Sequence, residues 1–275
     1  MDMYGRAYVE ITNICNMRCS FCHGHSRPPR QLTKEEFAHI LTQLQGQTQY
    51  IYYHLMGEPL LHPLLPEFIA MATEQGFYSM ITTNGTLLSK RGQELLKAAP
   101  YKVSVSLHSF EKGEEAAHRE YLRQVAEFAE KAAARGTIIC LRLWNRGHET
   151  GSPEMLLRQL LPGDWQENTR GYRVRDKLFL EWGDRFGWPD KNNDIQQGKP
   201  VCYGMRNQFG ILSDGTVVPC CLDSEGSIAL GNVFTTSLAE ILASPRAAAI
   251  ADGFQKGIAV EELCHRCPYA RKKQH

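Results

Sequence analysis

The chain has 275 residues, with 31 Lys and Arg against 30 Asp and Glu for a formal charge of +1, and that balance gives no general pull toward nucleic acid. No apolar run is long enough to span a membrane and the N-terminus lacks a signal-peptide pattern, so a cytoplasmic protein with no membrane partner is expected. Nine cysteines in such a chain are not needed as disulfides; clustered, they point to metal or redox chemistry.

In chain order, residues 6–182 alternate strand-like and helix-like segments. RAYVEIT (6–12) is rich in β-branched and aromatic residues and reads as a strand. Thr33 with Glu36 three residues on forms a capping box that opens a helix to about Leu44. YIYYHL (50–55) is a second strand, and HPLLPEFIAMATEQG (62–76) is a helix stopped by Gly76. YSMIT (78–82) is a third strand, and Ser89 is placed as the cap of the helix after it. KVSVSL (102–107) is a fourth strand, Glu114 to Arg135 an alanine-rich helix ending at Gly136, and TIICLRLW (137–144) a fifth strand. SPEMLLRQLL (152–161) starts a helix with proline in its first turn, and KLFLEW (177–182) is a sixth strand. The basic runs RGYRVRDK (170–177) and ARKKQH (270–275) read as solvated surface.

This β-α alternation argues for a parallel sheet with helical crossovers. Six units are too few for an eight-fold barrel of roughly 250 residues, so a partial (β/α)6 TIM-like barrel of the α/β class is expected. Beyond Pro200 the character changes. GILSDGTVVPCC (210–221) reads as two short strands around an Asp-Gly turn, and Ser237 with Glu240 caps a short helix. That gives a small C-terminal α+β hairpin–helix domain. The boundary falls in the polar stretch WPDKNNDIQQGKP (188–200), dividing the chain into 1–195 and 196–275.

The distinctive residues sort to the carboxyl ends of the strands, where parallel barrels build active sites. A cysteine loop follows strand one, and MGEP (56–59) follows strand two. TTNG (82–85), SLHS (106–109) and Trp144-Asn145 close strands three, four and five. Ser104, Ser106 and His108 share one face of strand four, while Val103, Val105 and Leu107 share the other.

The cysteine loop, ITNICNMRCSFCHGH (11–25), holds Cys15, Cys19 and Cys22 in the spacing C-x3-C-x2-C. Thiolate metal sites usually want four ligands; three on an iron–sulfur cube leave one position open for substrate or cofactor. A structural zinc site completed by His23 or His25 is the alternative. With aromatic Phe21 just before the last cysteine, the motif resembles the radical SAM signature, and the later motifs follow in order over most of the chain.

The resemblance implies a [4Fe–4S] cluster on Cys15, Cys19 and Cys22, with its open iron chelated by S-adenosylmethionine (SAM). An electron, supplied by a donor such as flavodoxin or ferredoxin, then breaks the S–C5′ bond. The 5′-deoxyadenosyl radical takes a hydrogen atom from substrate, while the protein binds, orients and shields. Phe21 is implied near the adenine. MGEP resembles the family's GGEP, with Met56 departing at the first glycine; Gly57 and Glu58 are implied at the methionine ammonium. Asn84, Ser106 and Arg142 are implied at the ribose or the carboxylate.

The remaining cysteines are Cys140, Cys202, Cys220, Cys221, Cys264 and Cys267. The hairpin, the LGN at 230–232 and the closing C-H-R-C resemble Twitch, a shortened relative of the SPASM domain. That implies one auxiliary [4Fe–4S] cluster on Cys202, Cys220, Cys264 and Cys267. Cys220 is preferred to Cys221 because it directly follows the strand's proline, and a zinc ribbon is the alternative. Cys140 reads as a core residue of strand five; because it shares a face with Arg142, a thiol that returns a hydrogen atom to a substrate radical is a second reading. FLEWGDRFGWPD (179–190) either lines a substrate pocket or packs the barrel's open end.

Related Twitch enzymes oxidise an alcohol on an amino sugar, and SPASM relatives oxidise or cross-link peptide side chains. The resemblance therefore implies a radical SAM oxidoreductase removing two electrons from a small molecule or short peptide. His108, Arg142 and Glu181 are the candidates for taking the proton. The alternative is a peptide-modifying enzyme making a thioether, a carbon–carbon link or an inverted stereocentre. Many of those carry an N-terminal leader-binding domain, for which a first strand beginning by Arg6 leaves no room. A non-catalytic iron–sulfur or zinc protein is the reading from another class.

Overall fold

A computed structural model describes residues 3–110, 115–144, 146 and 153–271. Glu114, Asn145, Ser152 and residues 272–275, on which some expectations fall, lie outside the described residues.

The elements are β1 (Arg6–Val9), α1 (Lys34–Leu44), β2 (Tyr50–Tyr52), α2 (Leu65–Glu74), β3 (Tyr78–Thr83), α3 (Leu88–Ala98), β4 (Lys102–Ser106), α4 (Glu115–Ala134), β5 (Ile138–Leu143) and α5 (Pro153–Leu160). They continue with β6 (Gln166–Asn168), β7 (Gly171–Arg175), β8 (Leu178–Trp182), β9 (Gln208–Ile211), β10 (Thr216–Val218), β11 (Gly231–Asn232), α6 (Leu238–Leu242), α7 (Pro245–Lys256) and α8 (Glu262–His265). Among the described residues one open sheet holds eleven strands in the order β11-β10-β9-β1-β2-β3-β4-β5-β8-β7-β6. Its centre is parallel from β1 through β5 to β8, which makes the six-strand partial barrel that the alternation implies.

Local chemistry explains the helices. The Thr33 side chain accepts from the Glu36 N–H and the Glu36 carboxylate accepts from the Thr33 N–H, so the capping box forms as expected. From there Phe37, Ile40, Leu41 and Leu44 recur at helical spacing and are all buried. On α4 the inward face is Tyr121, Leu122, Val125, Ala126, Phe128, Ala129 and Ala132. These faces cover the outer side of the sheet, where Ala7, Val9, Val103, Val105, Ile139 and Leu141 are buried.

One expectation needs correction, and two gain detail. Ser89 lies inside α3, not at its cap: the chain enters the helix from the left-handed turn at Gly85, and Leu88 N–H bonds the Gly85 carbonyl. The basic stretch at 170–177 is largely strand β7, paired with β6 and β8 into an antiparallel edge, and its Arg170, Arg173, Arg175 and Lys177 are exposed, as a solvated surface requires. The C-terminal hairpin does form around Asp214-Gly215, but β9 pairs in parallel with β1 from Arg6↔Gln208 to Val9↔Ile211. The C-terminal unit thus continues the barrel's sheet. Among the described residues, no helix is long and apolar enough to cross a membrane.

Candidate active site

The carboxyl ends of β1 to β5 open on a cavity of about 580 Å³ whose wall includes Cys15, Cys19 and Cys22. Cys15 and Cys22 are exposed and Cys19 is half-buried. Local bonds hold the loop: Cys22 N–H to the Cys19 carbonyl at 3.1 Å, and Met17 N–H to Cys15 Sγ at 3.5 Å. Among the described residues no three His, Cys, Asp or Glu side chains converge on a position for a single metal ion. Three thiols facing one cavity fit three corners of an iron–sulfur cube and leave its fourth side open.

The MGEP loop is built against this cysteine loop. Gly57 has φ +79°, and a Cβ there would lie 2.2 Å from the Thr12 carbonyl oxygen, so only glycine permits the approach. Glu58 N–H donates to the Ile14 carbonyl at 2.9 Å. The Glu58 carboxylate is buried and already accepts from Leu60 N–H (3.0 Å), Thr83 Oγ1 (2.7 Å) and Asn84 N–H (2.7 Å). It sews the second strand's loop to the third strand's. Glu58 also lines the cavity. Asn84 is similarly committed: Nδ2 donates to Asn16 Oδ1 at 2.9 Å, and Oδ1 accepts from Thr86 N–H and Oγ1.

The other expected residues gather on the same wall. Phe21 lies 4.9 Å from the His108 ring, centroid to centroid. His108 stacks on Trp144, and its Nδ1 meets the Arg142 carbonyl at 3.1 Å. The Arg142 guanidinium sits over the Trp144 ring at 4.5 Å with Nε buried and unpartnered. Ser106 lines the cavity at the end of β4. Glu181 does not line it; it stands opposite Arg142 in the β5–β8 register, and its side chain is hydrogen-bonded with the thiol of Cys140. Cys140 is buried on β5, and burial pushes its thiol up to about 12.

Sequence reasoning missed His54. It lines the cavity two residues before MGEP, edge-on to Tyr8 at 5.5 Å, with a buried and unpartnered Nδ1. Burial first, and Arg142 second, pull its pKa down to about 3, so it is a neutral imidazole. Strand alternation with Tyr52 could have found it. The segment Arg185–Trp188 also lines the cavity, with Arg185 over the Phe21 ring at 5.6 Å. Unpartnered buried nitrogens of His25, His54 and Arg142 in one cavity mark it as a site for a polar ligand.

The second cysteine group is different in access. Cys202, Cys220, Cys264 and Cys267 are absent from the cavity wall and adjoin one another. Burial pushes the thiols of Cys202, Cys220 and Cys264 up, and neighbouring thiols push further: Cys267 on Cys202, Cys202, Cys221 and Cys264 on Cys220, Cys202 and Cys267 on Cys264. Cys221 lies beside them but its thiol is hydrogen-bonded to the Tyr8 hydroxyl, and burial raises it to about 11. Four thiols linked through Cys202 and Cys264 as common neighbours match in number the four corners of a fully held cube.

Residues 9–160 match the Radical SAM superfamily, and residues 202–268 match SPASM, an iron–sulfur cluster-binding domain. The GTP 3′,8-cyclase of Chlorobaculum tepidum is 34% identical over 143 residues, which is 48% of this chain and 43% of that protein, so less than half of the relative is spanned. A probable GTP 3′,8-cyclase of Sulfurisphaera tokodaii is 26% identical over 262 residues, 80% of this chain and 83% of that one. Among solved structures, BtrN in complex with AdoMet and 2-DOIA aligns with a TM-score of 0.61 at 18% identity, covering 97% of this chain and 93% of that one. Native anSMEcpe with bound AdoMet and the Kp18Cys peptide aligns at 0.62 and 14%, covering 96% and 86%. At such identities the two structures carry the fold and nothing finer.

Proposed function

The chain belongs to the radical SAM superfamily, and from that premise we propose that it is a radical SAM oxidoreductase acting on a small polar molecule. Its two matched regions carry a SAM-binding [4Fe–4S] cluster and an auxiliary cluster. We assign the first to Cys15, Cys19 and Cys22 and the second to Cys202, Cys220, Cys264 and Cys267, with the division between the two parts at 195/196. When bound, the first cluster and SAM supply a 5′-deoxyadenosyl radical that removes a hydrogen atom, and the auxiliary cluster supplies an acceptor for one further electron.

The observation that carries the reading is the contrast in access: three thiols open onto the cavity, four gathered as neighbours outside it. Phe21 and the backbone at Gly57 and Glu58 form the SAM cradle, with Ser106 and Arg142 at its far wall; Asn84 serves chiefly to hold the cysteine loop through Asn16. Arg142 and His54 present a donor and an acceptor to polar groups inside. Of the three residues proposed to take a proton, Glu181 lies outside the wall and a guanidinium is a donor only. His108 is then the proton acceptor, held by its Nδ1 contact with the Arg142 carbonyl. Hydrogen atom, electron and proton together leave a product two hydrogens lighter.

Peptide modification is the second reading, since the fold this chain shares with anSMEcpe accommodates a bound peptide in that protein. Anaerobic protein given dithionite, SAM and candidate alcohols or peptides tests both. 5′-Deoxyadenosine with an oxidised small molecule supports the first reading, and a cross-linked, epimerised or oxidised peptide supports the second. No 5′-deoxyadenosine under any condition contradicts both.

A further inference from the structure

Glu10, at the end of β1, is fully buried, yet its carboxylate accepts five hydrogen bonds. Arg27 donates to it bidentately through Nη1 and Nη2 at 2.8 and 2.7 Å. Met56 N–H donates at 3.2 Å, and Ser213 donates through N–H at 3.2 Å and Oγ at 2.9 Å. One carboxylate thus joins three loops: the arm that follows the first cysteines, the MGEP loop, and the turn of the C-terminal hairpin. Charge-assisted, fork-shaped pairs of this kind fix geometry tightly because any rotation breaks both bonds.

The arm is held from its other side by the C-terminal region. Arg27 Nε donates to the Ser224 carbonyl at 2.7 Å. Ser26 donates through N–H at 2.7 Å and Oγ at 2.8 Å to the Glu225 carboxylate. Only His23, Gly24 and His25 separate Ser26 from Cys22. Four steps of at most about 3.6 Å each tie Cys22 to that anchored end.

We propose that Glu225 and Ser213 of the C-terminal region are positioning residues for the SAM site, acting through Ser26, Arg27 and Glu10 on the cysteine loop and on Met56. Neither lines the cavity, so any effect on SAM travels through this chain of bonds. The C-terminal domain is then a structural part of the first cluster's site as well as the holder of the second. The proposal rests on the functional reading above.

The test uses full-length holoenzyme reconstituted without oxygen. It compares Glu225→Ala with Glu225→Gln, whose amide can still pair with both Ser26 groups. SAM affinity is measured by equilibrium dialysis, iron is counted, and the SAM-induced change in the EPR signal of the reduced first cluster is recorded. Glu225→Ala should weaken SAM binding about tenfold, the scale of lost outer-shell support, and diminish the EPR change while keeping about eight irons. Glu225→Gln should restore both to within about twofold. Unchanged SAM affinity in Glu225→Ala, failure of Glu225→Gln to restore it, or loss of the second cluster's iron overturns the proposal alone. Absence of SAM binding or of a second cluster in the unsubstituted protein overturns the functional reading and the proposal with it.

Discussion

The indole N–H of Trp188 donates to the backbone carbonyl of Phe21 at 2.8 Å, across 167 residues of chain. The same ring stacks with His23, and Arg185 lies over Phe21. The segment after β8 is therefore a strap that holds the first cysteine loop at the cavity both line. Trp188→Phe keeps the ring and loses one hydrogen bond of about 1 kcal/mol, so SAM binding should weaken by roughly fivefold. Trp188→Ala should weaken it further. Equilibrium dialysis under anaerobic conditions gives both values, and wild-type affinity in the alanine variant would refute the role.

Gly57→Ala should abolish SAM binding, because the new methyl would meet the Thr12 carbonyl at 2.2 Å in a backbone conformation of φ +79°. Gly46 is the control: it too has positive φ, +74°, but nothing lies within 4 Å of its missing Cβ. Gly46→Ala should cost only the left-handed strain of about 1–2 kcal/mol and leave SAM affinity intact.

Glu58→Gln tests the seam between the MGEP and TTNG loops. The amide can keep accepting from Leu60 and Thr83 on one side but turns an N–H2 toward the Asn84 N–H on the other. Leaving a buried donor unmatched costs about 1–3 kcal/mol, which urea unfolding monitored by circular dichroism should report. An unchanged midpoint would mean the carboxylate does not hold the loops.

These residues also mark what the sequence could and could not carry. The spacing of Cys15, Cys19 and Cys22, the MGEP turn and the Thr33–Glu36 cap are local, so short-range chemistry exposes them. The parallel pairing of β9 with β1 joins residues about 200 apart and leaves no local signature. The same holds for Trp188 on Phe21 and for Ser26 on Glu225. Ser89 failed as a cap because the turn at Gly85 already delivers the chain into the helix. His54 was visible only as one residue of an aromatic strand; what distinguishes it is an unpartnered nitrogen, a property of the packed barrel.

His54 gives a pH prediction. Its pKa falls from 6.5 to about 3 on folding, so the unfolded chain takes up this proton near pH 6.5 and the folded chain does not. The stability it contributes is complete above about pH 6.5 and is lost as the pH drops from there toward 3. His62 and His118, also lowered by burial, titrate alike in both proteins compared. His54→Gln should therefore show a shallower fall of the urea midpoint between pH 6.5 and 4.5 than the unsubstituted chain. Parallel curves would contradict the assignment.

Cys220 and Cys221 separate by partner. Cys220→Ser should remove about half of the bound iron, since its thiol neighbours Cys202 and Cys264 and is not engaged by Tyr8 as that of Cys221 is. Cys221→Ser, whose hydroxyl can still pair with Tyr8, should keep it. The reverse pattern of iron contents would exchange the two assignments.

The most direct test of two clusters with different access is iron and sulfide counting on the Cys15→Ala, Cys19→Ala, Cys22→Ala triple variant, reconstituted without oxygen. About four irons and four sulfides per chain are predicted, held by Cys202, Cys220, Cys264 and Cys267. No iron, or one zinc in its place, would contradict an auxiliary electron acceptor and with it the proposed oxidation.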